Sequence, residues 1–61
     1  MLAQERHQVI LDLINKNRVV KVADLMATFN VSIETVRRDL DHLESQGFLR
    51  KVYGGAVLLA E

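Results

Sequence analysis

The stretch Ser32–Arg38 holds Ser32, Glu34, Thr35, Arg37 and Arg38. Hydroxyls and guanidiniums at this spacing suit hydrogen bonding to phosphates and base edges. Arginine presents a planar fork of donors that matches both groups. On a helix of about 100° per residue, Val36, Leu40 and Leu43 fall within about 40° of one direction. Arg38 then points about 200° away, almost opposite that apolar stripe, and Glu34, Asp41 and Ser45 share its outer face. Arg37 and Thr35 lie on the two flanks. Arg38 thus points where base edges would lie in a major groove about 12 Å wide. Arg37, Thr35 and the Ser32 hydroxyl point toward the bordering phosphates. The Ser32 end adds unpaired N–H groups and a positive dipole end.

The elements that position these groups follow from periodicity. Leu2 to Lys16 reads as a helix, with Leu2, Arg6, Val9, Ile10, Leu13, Ile14 and Asn17 on one face. Arg18–Val22 is short and β-branched, which predicts a brief strand. Val22 to Phe29 returns to helical period but spans about two turns, too short to be stable unpacked. Asn30-Val31-Ser32 breaks the pattern. Asn tolerates the left-handed conformation a tight turn needs, and Ser32 is a good N-cap. The next helix runs to Gln46, with Ile33 at the margin of its inward stripe. Gly47 then marks the exit, with Phe48 placed to pack on Leu43. Leu49–Val52 and Ala56–Leu59 read as hairpin arms around Gly54-Gly55, flanked by Arg50, Lys51 and Tyr53. Poor alternation leaves the buried face of each arm open. Phe29, Phe48 and the aliphatic stripes are expected in the core. The order is helix, strand, helix, three-residue turn, helix, hairpin. That is a mainly α fold with a small β-sheet, a winged helix-turn-helix of three helices plus a β-hairpin wing.

Length and composition bound the function. Sixty-one residues make one domain with a small core. Without Cys, disulfides, thiolate zinc sites and cysteine catalysis are excluded. His7 and His42 have no ligand-spaced neighbours, so no metal or other cofactor is expected, and a chain this small is not expected to be an enzyme. No apolar run approaches a membrane span, and the N-terminus lacks a signal core. Eight Lys+Arg balance eight Asp+Glu. Net neutrality is the main objection to nucleic-acid binding. Local segregation of charge answers it, because the field at a phosphate depends on which groups face it. A single neutral module is then expected to bind weakly.

The chain resembles the N-terminal DNA-binding domain of the DeoR family of bacterial sugar-metabolism repressors. Arg6, Ile10 and Ile14 carry the match in the first helix. Ser32 and Thr35-Val36-Arg37-Arg38-Asp39-Leu40 continue it, and Gly54-Gly55-Ala56 close it at the wing. The resemblance implies operator recognition on double-stranded DNA by residues 1–61, with the recognition helix in the major groove and the wing on backbone or minor groove. It implies a cytoplasmic, nucleoid-associated transcriptional regulator. It also implies a larger C-terminal domain, absent from this sequence, that senses phosphorylated sugars and drives oligomerisation. Three positions depart from the family pattern. Met26 replaces a small residue near the helix crossing. Asn30 stands where Gly is frequent, and Tyr53 where His is common before Gly54.

Arg6 lies within an apolar stripe, which favours an ion pair with Asp39 over a phosphate contact. Arg50 and Lys51 suit either DNA or a charged strand edge that blocks aggregation. Asp41 and Glu44 read as solvated. A winged helix that binds protein instead of DNA is the alternative function. The distinguishing feature is whether Ser32, Thr35, Arg37 and Arg38 form one positive surface with the wing.

Overall fold

The computed structural model describes residues 1–59. Helix α1 spans Ala3–Asn17, strand β1 Val19–Lys21, helix α2 Val22–Phe29 and helix α3 Ile33–Ser45. Strands β2 (Leu49–Val52) and β3 (Gly55–Leu58) complete the fold. The sheet is antiparallel in the order β1-β3-β2, so the central strand is the last in sequence. Ile10 and Ile14 of α1, Leu25 of α2, Val36, Leu40 and Leu43 of α3, and Val20, Leu49 and Ala56 of the sheet form one buried core. The central residues of the stripes read from sequence are buried, and the inward face of each hairpin arm is assigned. Leu2 and Asn17, at the two ends of the α1 stripe, are exposed because they lie beyond the core. No described helix is long and apolar enough to cross a membrane.

The turns that aim α3 are chemically specified. Asn30 closes α2 at φ 55°, the left-handed conformation expected of it. Gly47, at φ 84°, donates to the Glu44 carbonyl at 2.9 Å, and the Phe48 N–H donates to the Leu43 carbonyl at 3.1 Å. Those two bonds are the Schellman pattern. Phe48 itself, expected in the core, is 46% exposed. Strand alternation explains it: Leu49 takes the inward position, and its neighbour must face outward.

The hairpin turn also lies one residue earlier than expected. Val52 pairs with Gly55, leaving Tyr53-Gly54 as the loop, with Gly54 at φ 80°. Gly55 is buried in β3 for a different reason. A Cβ there would lie 2.1 Å from the Val20 carbonyl oxygen, so a side chain would force β1 and β3 apart. The Gly54 carbonyl accepts from the Val22 N–H at 2.9 Å, tying the wing to the start of α2.

Arg18 holds a conformation that the sequence does not announce. At φ 71° it closes α1, its N–H donating to Ile14 at 2.8 Å and its carbonyl accepting from Leu58 at 2.9 Å. Two backbone bonds hold a non-glycine residue in the left-handed region, where it carries a strain cost.

Candidate nucleic-acid interface

Helix α3 presents two different sides. Toward α1 it contributes Asp39, only 3% exposed. Arg6 Nε donates to Asp39 Oδ2 at 2.6 Å and Nη2 to Oδ1 at 3.1 Å, a bidentate pair. His7 Nε2 lies 3.0 Å from the same Oδ1, and the His7 ring stacks on His42 with centroids 4.8 Å apart. Burial pushes the Asp39 carboxyl up, but the hydrogen bonds and charges of Arg6 and His7 outweigh it and set it below the usual range. Asp39 raises Arg6 in turn, chiefly through the hydrogen bond. The Arg6–Asp39 pairing read from sequence is therefore present. The two histidines, read as isolated, instead join one network that clamps α3 to α1.

The opposite side of α3 is open. Arg37 and Arg38 are exposed and form no ion pair among the described residues. Ser32 caps the helix, its Oγ accepting from the Thr35 N–H at 3.3 Å, with Thr35 Oγ1 also 3.3 Å away. Glu34 is exposed in the first turn, where a negative charge complements the helix dipole. At this end of α3 the structure brings together Ser32, Glu34, Thr35, Arg37 and Arg38. Asn30 and Ser32 make this geometry: one turns the chain sharply, and the other caps the start of the helix.

The wing stands beside this end. Arg37, Lys51, Tyr53 and Gly54 line a single cleft between α2, α3 and the hairpin. Tyr53 is fully exposed at the tip. Arg50 is exposed on the outer face of β2 and forms no ion pair among the described residues. Lys51 differs: its Nζ pairs with Asp41, and its backbone N–H donates to Glu44 Oε2 at 2.9 Å. Asp41 and Glu44, read as solvated, thus fasten the wing to α3. Sequence reasoning missed this clamp because it joins residues seven to ten apart across a turn whose path was not yet known.

These features make a winged helix-turn-helix whose recognition helix offers unpaired arginines. Residues 6–61 match the model of the DeoR-like helix-turn-helix domain. The chain belongs to that family. It is a helix-turn-helix DNA-binding domain of the kind found in transcriptional regulators. It is 51% identical over its full length to the HTH-type transcriptional regulator FruR of Bacillus subtilis, covering 24% of that protein. It is 44% identical over 97% of its length to the regulator GolR of Listeria innocua, covering 23% of it. It is 43% identical over 92% of its length to the lactose phosphotransferase system repressor of Staphylococcus aureus, covering 22% of it. The chain thus spans about a quarter of the length of these relatives. No solved structure matches it.

Proposed function

We propose that this domain recognises an operator for a bacterial transcriptional regulator that represses genes of sugar metabolism. The supporting observation is the pair of exposed arginines near the start of α3, where Ser32 caps the helix. In this reading Arg38 enters the major groove and binds guanine through O6 and N7. Arg37, Thr35 and Ser32 hold the bordering phosphates, and Glu34 lies over the groove beside Arg38. Arg50, Tyr53 and Gly54 of the wing meet the adjacent backbone or minor groove. Lys51 reaches phosphate by exchanging Asp41 for it. The regulator is not an enzyme and works in the cytoplasm on the nucleoid. Its C-terminal portion binds a phosphorylated sugar and joins subunits, so that paired domains gain affinity through effective concentration. The name of the lactose phosphotransferase system repressor supports the sugar assignment.

Selection from a pool of random duplexes, using a dimerised form of the domain, tests the reading. Enrichment of one sequence, with affinity falling steeply as salt rises, is expected. Recovery of the unenriched pool would refute it and favour a protein-binding winged helix.

A further inference from the structure

Ile33 is the first residue of α3 and remains 40% exposed, outside the partly buried hydrophobics that pack on the core. It lines the cleft between α3 and the wing with Arg37, one turn further on, and with Met26 and Val52. The Cα–Cβ bonds of a helix tilt toward its N-terminus. The first residue therefore projects past the helix end, where recognition helices meet base edges. Its neighbours Ser32 and Glu34 are polar and exposed, so Ile33 is an apolar contact set within a polar surface. Base pairs expose one apolar group in the major groove, the thymine 5-methyl.

We infer that Ile33 is a specificity-determining residue that reads a thymine methyl. The inference rests on the DNA-binding reading and deepens it. Ile33 packs its terminal methyls on the thymine, while Arg37 on the same side holds the flanking phosphate. One thymine near the guanine contacted by Arg38 is thereby preferred over uracil, and over cytosine, which lacks the methyl.

The test replaces each thymine of the selected duplex in turn with deoxyuridine and titrates the domain by fluorescence anisotropy. Burial of one methyl corresponds to about a fourfold change in affinity. The wild type is expected to lose about that factor at one position. Ile33→Val retains the sensitivity, whereas Ile33→Ala and Ile33→Ser bind the thymine and deoxyuridine duplexes equally. Circular dichroism of Ile33→Val, Ile33→Ala and Ile33→Ser checks folding before titration, and the wild-type scan decides independently whether any thymine methyl is read. Sequence-specific binding with no sensitive thymine overturns the inference and leaves the DNA-binding reading intact. So does a sensitive thymine that survives both Ile33→Ala and Ile33→Ser. Loss of all sequence preference in the wild type overturns both.

Discussion

Arg38 and Asp39 are neighbours in sequence and opposites in the fold. Asp39 is buried and saturated: two bonds from Arg6 and one contact with His7 occupy its carboxylate. Arg38 is exposed and unpaired among the described residues. The same contrast divides the whole of α3. Its α1 side is a closed polar network, and its outer face exposes Arg37 and Arg38 beside Glu34 and Asp41. A chain of zero net charge can still expose arginines locally, here together with carboxylates. Asp39 and Asp41 pair with Arg6 and Lys51, whereas Arg37, Arg38 and the nearby Glu34 form no ion pair among the described residues. Net charge describes the composition, whereas the potential at the recognition face depends on this pairing.

The largest effect is expected on the closed side. Asp39→Ala removes the acceptor shared by Arg6 and His7, and it is expected to cost more stability than Ser32→Ala or Arg37→Ala. A domain of this length has total stability of about 3–9 kcal/mol. Urea denaturation followed by circular dichroism is expected to show the largest fall in midpoint of the three variants. The acid limb reports the same group. Asp39 lies below its ordinary range when folded, so its contribution is complete above about pH 4 and is lost as pH falls further. Asp39→Asn is expected to flatten the fall of the urea midpoint as pH drops below about 4.

A smaller effect sits at the joint between the two sides. Ser32→Ala removes the cap on α3 and is expected to cost about 1 kcal/mol, seen as a lower urea midpoint at unchanged slope. A midpoint equal to wild type would mean that the α1 clamp alone holds the start of α3. The smallest effect belongs to the flank. Arg37→Ala is expected to leave stability unchanged and to weaken selected and scrambled duplexes by the same factor. The slope of log affinity against log salt becomes shallower by about 0.9, one phosphate contact. Unequal losses on the two duplexes would move Arg37 from phosphate to base.

The architecture was legible where one residue type has one physical use. Ser32 announces a helix start, Asn30 a left-handed turn and Gly47 a helix exit, and all three positions behave so. Arg6 was legible because a charge inside an apolar stripe requires a partner, and Asp39 was the inward-facing carboxylate available. Other features depend on chain paths that local pattern does not contain. Arg18 is left-handed because Ile14 and Leu58 hold its backbone, not because its side chain favours that conformation. The His7–His42 stack and the Lys51–Asp41 pair join separate elements. Phe48 was misplaced because apolar character does not say which face of a strand a residue takes. Among the candidate contacts, the recognition-helix residues followed from helical angle. The wing residues followed from the Gly54-Gly55 turn signal, and the engagement of Lys51 with α3 did not.

The division of α3 is tested most directly by carrying Arg38→Ala and Asp39→Asn through two measurements, urea unfolding and titration of selected and scrambled duplexes. Arg38→Ala is expected to keep the wild-type urea midpoint. It should lose about 1–3 kcal/mol on the selected duplex, with little change on the scrambled one. Asp39→Asn is expected to lower the urea midpoint while its folded fraction keeps the wild-type preference between duplexes. An Arg38→Ala variant as unstable as Asp39→Asn, or one that binds both duplexes as the wild type does, would contradict the account.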